Sequence, residues 1–120
     1  MKKTVVSIVL IVVIMLCACS MAANNKANLI IVNRSDVKVG TVTADGKVAK
    51  NANDSPLVLD QSVSFEFGNV DSYTFDVAVA DVDDRILTLN TFTMTFKEGE
   101  KQTLYIVADT NGTVRVTQEP

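Results

Sequence analysis

Apolar and polar residues alternate with a period of two through most of this 120-residue chain. Residues 62–67 read SVSFEF, and residues 91–96 read TFTMTF. Because successive side chains of a β-strand point to opposite faces, this alternation predicts strands with one buried face. From residue 28 onward no segment has the apolar spacing of a long helix. The alternation therefore predicts an all-β fold.

Turn residues separate the predicted strands. Asp45-Gly46 and Asn111-Gly112 are signals of two-residue hairpins, in which both central residues have positive φ. Pro56 and Gly99 mark further turns. Strands are predicted over residues 28–33, 37–44, 57–60, 62–67, 72–80, 85–89, 91–96, 102–108 and 113–118, some of which merge or lie at sheet edges.

Short strands at regular spacing, without helices between them, predict an antiparallel β-sandwich of about 7–9 short strands. The predicted domain covers residues 28–120. Its size and pattern resemble those of immunoglobulin-like and transthyretin-like sandwiches, although the chain lacks a Cys–Trp–Cys signature. A small closed β-barrel is the alternative fold.

The amino terminus has a different composition. Lys2 and Lys3 precede the apolar run Val5 to Leu16, and small residues follow it. This order is typical of a cleaved secretory signal peptide, here residues 1–18. The apolar run is shorter than the roughly 20 residues that a membrane-spanning helix needs.

The end of this run, Leu16-Cys17-Ala18-Cys19, resembles the lipobox of bacterial lipoproteins. In that motif an aliphatic residue and two mostly small residues precede the lipidated cysteine. The resemblance implies cleavage before Cys19 and a diacylglyceryl thioether on its sulfur. The alternative is ordinary secretion with cleavage near Ala22 or Ala23.

Lipidation would anchor the mature protein to a membrane without spanning it. The lipidated Cys19 and a small polar tether make up residues 19–27. Eight extended residues reach at most about 30 Å, so the domain stays close to the lipid. The expected location is the bacterial cell envelope, facing outside the cytoplasm.

Composition argues against several functions. The chain has no His, which is the usual general base near neutral pH and the commonest metal ligand. Its net charge is −3, and loss of Lys2 and Lys3 with the signal peptide makes it −5. An acidic chain without a basic patch gives no basis for nucleic-acid binding. We therefore expect no enzyme activity, no cofactor and no nucleic-acid partner.

One acidic segment is a candidate metal site. Asp81, Asp83 and Asp84 follow a predicted strand, and three carboxylates could surround a hard cation such as Ca²⁺. The segment lacks the remaining residues of a calcium-binding loop. A plain solvated turn is the competing interpretation.

Tyr105 is the candidate contact residue. It lies between Leu104 and Ile106 in sequence. The alternation places these two residues in the core, so Tyr105 is expected on the opposite face of the strand. It could form part of an outer contact patch with Val107. The main functional hypothesis is a non-catalytic envelope lipoprotein that binds another envelope protein or has a structural role. The alternative is a module that binds a small ligand or Ca²⁺, and an enzyme is the remote alternative.

Overall fold

The computed structural model describes residues 26–120, which form eight β-strands and a short 3₁₀ turn. The predicted signal peptide, the lipidation site Cys19 and most of the tether lie outside these residues. Within residues 26–120 no helix is long and apolar enough to cross a membrane. The strands are β1 (Leu29–Asn33), β2 (Val39–Ala44), β3 (Lys47–Ala49), β4 (Ser62–Phe65), β5 (Val70–Asp81), β6 (Ile86–Phe96), β7 (Gln102–Ala108) and β8 (Val114–Thr117), with the 3₁₀ turn at Ala52–Asp54.

The strands form two four-stranded sheets. The first sheet has the order β4-β1-β7-β8, and the second has the order β3-β2-β5-β6. The predicted all-β fold and the strand number are therefore confirmed, and the arrangement is that of a β-sandwich. The alternative of a small closed barrel is wrong, since the sheets do not join into one.

One strand pair departs from the predicted antiparallel arrangement. β1 and β7 run parallel, with Val32 opposite Tyr105, whereas the other pairs in both sheets are antiparallel. Parallel neighbours need a long crossover connection. Between β1 and β7 the chain forms all four strands of the second sheet and then returns to the first sheet. This long path is the crossover.

The core lies between the sheets and follows the alternation of the sequence. Each strand directs every second side chain inward, where burial of aliphatic and aromatic surface stabilises the domain. The fully buried side chains include Leu29, Ile31, Val42, Val77, Val79, Phe96, Leu104 and Ile106. At one end of the core the ring of Phe67 stacks on that of Phe96, with centroids 4.5 Å apart.

Two parts of the predicted strand list are wrong. Residues 57–60 form no strand: Leu57 makes an isolated bridge to Val39, and a turn follows. The ranges 85–89 and 91–96 merge into the single strand β6, which is one of the mergers expected from the sequence. No range was predicted for β3, although the Asp45-Gly46 hairpin requires a strand there, because three residues after a tight turn carry almost no periodic signal.

Both predicted hairpins exist, but only the first has the predicted two-residue turn. Asp45 and Gly46 have φ of 53° and 78°, as a type I′ turn requires. The β7–β8 hairpin exists, but Asn111-Gly112 is not such a turn, since Gly112 has a φ of 87° and Asn111 has no positive φ. The Asp109 N–H donates to the Thr113 carbonyl, which closes a three-residue loop.

Two buried asparagines hold the ends of β1, and the sequence pattern did not predict them. The Asn28 amide donates to the Gly68 carbonyl at 2.7 Å, and its oxygen accepts the Phe67 N–H. The Asn33 amide donates to the carbonyls of Val37 and Leu57, at 2.8 and 2.9 Å. Both side chains are fully buried, so they satisfy loop backbone groups that water cannot reach.

Candidate protein-contact surface

Tyr105 lies on the outer face of the first sheet. Its neighbours in sequence, Leu104 and Ile106, are completely buried in the core, and Tyr105 itself is half-buried on the opposite side of β7. In the sheet it is flanked by Val32 of β1 and Thr117 of β8. The outward position expected from the parity of the strand is therefore the position that the structure has.

Tyr105 belongs to a mostly apolar surface. The register places Ile30 and Thr103 side by side, next to the pair of Val32 and Tyr105, and Val107 continues the row along β7. All five side chains are half-buried. We call this surface, formed by Ile30, Val32, Thr103, Tyr105 and Val107, the Tyr105 face.

The Tyr105 face is unusual for the exposed side of a sheet. The two central strands read LIIV over residues 29–32 and LYIV over residues 104–107, so both parities of each strand are apolar. Such runs are typical of strands that are covered on both faces, whereas a solvated face alternates with polar residues. Arg115, opposite Val107 at the margin, is paired with Asp109 at 3.2 Å. The Tyr105 face is therefore more apolar than the solvated side of a sheet usually is.

The tyrosine hydroxyls of the chain are in different situations. The Tyr73 hydroxyl donates to an Asp45 carboxylate oxygen at 2.9 Å. The Tyr105 hydroxyl donates to no residue in the range 26–120. A tyrosine with an apolar ring and an available hydroxyl is a common anchor of protein interfaces.

The acidic segment forms the turn between β5 and β6. The Asp81 N–H donates to the Arg85 carbonyl, and Asp84 has a φ of 65°. One Asp81 carboxylate oxygen accepts the N–H groups of Asp83 and Arg85, at 2.9 and 3.0 Å. The Asp81 side chain therefore stabilises the turn through its hydrogen bonds to the backbone.

Arg85 supplies positive charge to this turn. Its guanidinium lies 3.5 Å from the Asp81 carboxylate and 3.9 Å from that of Asp83. The N–H of Arg85, the N–H of Asp83 and the Arg85 charge together lower the pKa of Asp81. Among residues 26–120, no group of three acidic, His or Cys side chains is arranged to hold a metal ion. Ion binding by Asp81, Asp83 and Asp84 stays a prediction.

An open groove of about 680 Å³ lies where β5 begins and β6 ends. Its polar lining is largely engaged in internal hydrogen bonds. The Thr95 hydroxyl donates to Asp71 at 2.8 Å, and the Asn69 oxygen accepts the Glu98 N–H at 2.8 Å. The hydrogen bonds of the groove therefore join the start of β5 to the end of β6 and the turn that follows it.

Comparison with models of known protein families, with curated proteins and with solved structures finds no match for this chain. The resemblances to bacterial lipoproteins and to immunoglobulin-like or transthyretin-like sandwiches thus depend on the sequence features described above.

Proposed function

We propose that this protein is a non-catalytic module of the bacterial cell envelope, anchored by lipid on Cys19, that binds another envelope protein through the Tyr105 face. The single observation that carries the interaction is the apolar outer surface around Tyr105. The anchor is supported by the order of basic residues, apolar run and lipobox-like segment at the amino terminus.

Several properties of the Tyr105 face support a protein as its partner. Val32 and Tyr105 lie directly opposite each other and present adjoining apolar surface. Loss of this surface from water on binding would contribute roughly 25 cal/mol for each Å² of apolar area. The tyrosine hydroxyl supplies a polar contact at the centre of that surface, which favours specific recognition.

Site-specific photo-crosslinking in intact cells tests the interaction. Benzoylphenylalanine in place of Tyr105 is expected to give a discrete adduct with one envelope protein. The matched control carries the same group in place of Tyr73, which is 36% exposed and belongs to the second sheet. The control is expected to give no such adduct.

A second substitution makes the test specific for the face. Val32→Lys places a charge beside position 105 without disturbing the buried parity of β1, and it is expected to abolish the adduct. The proposal is refuted if position 105 yields no adduct beyond those of position 73. It is also refuted if the adduct survives Val32→Lys in a folded protein.

Mass spectrometry of the mature chain tests the anchor separately. The expected species begins at Cys19 and carries added acyl mass. Cys19→Ala is expected to remove that mass, and the matched variant Cys17→Ala is expected to keep it. A mature chain that begins near Ala22 or Ala23 without lipid would contradict the anchor and leave the Tyr105 face untouched.

A further inference from the structure

β6 is a long edge strand without charged residues. It has 11 residues, Ile86–Phe96, with no charged residue, Pro or Gly among them. The other three edge strands are short: β3 has three residues, including Lys47, and β4 and β8 have four each. Because natural proteins shorten or charge an edge strand to prevent pairing, the long uncharged edge of β6 is a candidate for pairing with another strand.

The ladder with β5 fixes the direction of the backbone groups of β6. The Asp45 N–H donates to the Asp76 carbonyl, so the backbone of Asp76 points toward β2 and away from β6. Thr91 is opposite Asp76. In an antiparallel ladder the two residues of such a pair point their polar groups away from each other, so Thr91 directs its N–H and carbonyl to the open edge.

Alternation extends this direction to Leu89 and Thr93. The β5–β6 register has no irregularity between Tyr73 and Val79, so positions 89, 91 and 93 share the same orientation. The next position, Thr95, already uses its carbonyl to accept a hydrogen bond from the Gln102 side chain. The open part of the edge is therefore centred on Thr91.

β8 approaches β6 without using this edge. The Val116 N–H donates to the side-chain oxygen of Asn90 at 3.0 Å, rather than to a backbone carbonyl of β6. Within residues 26–120 no backbone hydrogen bond joins the two strands. The backbone groups of Leu89, Thr91 and Thr93 thus have no backbone partner within the described residues, although β8 lies beside this edge.

We propose that β6 pairs antiparallel with β6 of a second copy of this chain, with Thr91 opposite Thr91 at the two-fold axis. Leu89 of each copy then lies opposite Thr93 of the other. All three pairs are of the hydrogen-bonded kind, which gives about six backbone hydrogen bonds across the axis. The second sheets of the two copies become one continuous eight-stranded sheet.

Charge favours a second copy at this strand. The protein is acidic, so two copies repel each other wherever acidic surfaces meet. On β6 no charged side chain faces its equivalent. The neighbouring Asp76 carboxylate accepts a hydrogen bond from the Thr91 hydroxyl at 2.6 Å within the same chain. Threonines directly opposite each other are a favourable cross-strand pair.

Two matched double variants of the full chain test both the contact and its register. Leu89→Lys with Thr93→Lys places lysines opposite lysines in the proposed pair. Leu89→Glu with Thr93→Lys places glutamate opposite lysine at the same two positions. Within one chain these two positions are four residues apart on a strand, about 13 Å. The two introduced charges of a monomer are therefore too far apart to form an ion pair with each other.

The measurement is sedimentation equilibrium of the full chain in detergent, with micelles in excess over protein. Wild type is expected to dimerise, the double-lysine variant to dimerise at least about tenfold more weakly, and the glutamate–lysine variant to dimerise as well as wild type. The proposal is overturned if wild type is a monomer at all concentrations, or if the two variants dimerise equally.

Disulfide trapping keeps the test decisive if a double variant fails to fold. Thr91→Cys is expected to form an intermolecular disulfide, since opposite positions of a strand pair lie within disulfide range. Thr43→Cys, on the central strand β2 of the same sheet, is the control, and wild type gives the background from Cys17 and Cys19. Equal trapping at positions 91 and 43 overturns the proposal. This inference depends on neither the lipid nor the Tyr105 face.

Discussion

The side-chain oxygen of Asn90 accepts the backbone N–H of Val116 at 3.0 Å, which joins the edge of the second sheet to the edge of the first. The same oxygen accepts the Thr88 hydroxyl at 2.9 Å. Val116 is almost completely buried, so its N–H has little access to water. The Asn90 side chain thus connects the two sheets at one corner of the sandwich. In a closed barrel, backbone hydrogen bonds between two strands would make this connection.

Asn90→Ala is expected to lower the free energy of unfolding by about 1–3 kcal/mol, because it leaves the Val116 N–H without an acceptor. Asn90→Asp keeps an acceptor oxygen at the same place and is expected to lose less. Urea unfolding of the full chain, followed by far-ultraviolet circular dichroism, measures both. Equal losses for the two variants would show that the hydrogen bond to Val116 contributes little.

Asn33→Ala is expected to be among the most destabilising single changes at a polar residue. The Asn33 amide donates to two carbonyls, and its oxygen accepts the N–H and the hydroxyl of Ser35. Its removal leaves these groups unpaired in the interior, at a cost of about 2–4 kcal/mol.

Ser55→Ala is the matched control for Asn33→Ala. The Ser55 hydroxyl also donates to a nearby carbonyl, that of Ala52 at 2.9 Å, but the pair is exposed. A change within about 0.5 kcal/mol is expected there. The role assigned to Asn33 is wrong if thermal unfolding gives similar losses for the two variants.

The fold class was predictable because alternation is a local property of the chain. Phe65, Val77 and Leu104 are buried where the period of two places them. The ranges 85–89 and 91–96 were predicted as separate ranges, and they form one strand in which the polar Asn90, at an inward position, interrupts the alternation. Its partner, Val116, is distant in sequence, and no local signal reveals that contact.

The candidate surface was predictable only in part. The parity of β7 gave the outward position of Tyr105, since Leu104 and Ile106 had to face the core. The neighbour Val32 comes from β1. This strand pairs in parallel with β7, although the two strands are separated by most of the chain. Pairing of strands so far apart depends on tertiary packing, so the sequence pattern could not assemble the Tyr105 face.

Asp81 is expected to give a pH-dependent contribution to stability. Because hydrogen bonds from Arg85 and Asp83 and the Arg85 charge lower its pKa in the folded state, the folded form favours the carboxylate. The contribution is present above the unfolded pKa of about 3.9 and is lost as the pH falls through the folded pKa.

Asp81→Asn keeps an acceptor for the two N–H groups and removes the charge. Melting temperatures of wild type and variant are expected to differ at neutral pH and to converge in acid. Asp36→Asn, at an exposed loop position, is the control for the loss of one negative charge. A constant difference across the pH range would contradict a charge effect at Asp81.

The Tyr73 hydroxyl is expected to lose its proton at a higher pH than an ordinary tyrosine does. The hydrogen bond that its hydroxyl donates to Asp45, and then the negative charge of that carboxylate, raise the pKa of Tyr73. The folded pKa is above the unfolded one. The contribution to stability is therefore present below the unfolded pKa and is lost as the pH rises through the folded pKa.

Alkaline titration by ultraviolet absorbance measures this effect in a Tyr105→Phe background, where Tyr73 is the remaining tyrosine of the chain. Asp45→Asn is expected to lower the pKa of Tyr73 toward its ordinary value, since it removes the charge and keeps an acceptor. Asn also tolerates the positive φ that position 45 adopts in the hairpin, so the turn is preserved. Asp109→Asn, in the other sheet's hairpin, changes the net charge equally and is expected to leave the titration unchanged. If both variants shift the titration alike, net charge and not the Tyr73–Asp45 contact sets the pKa.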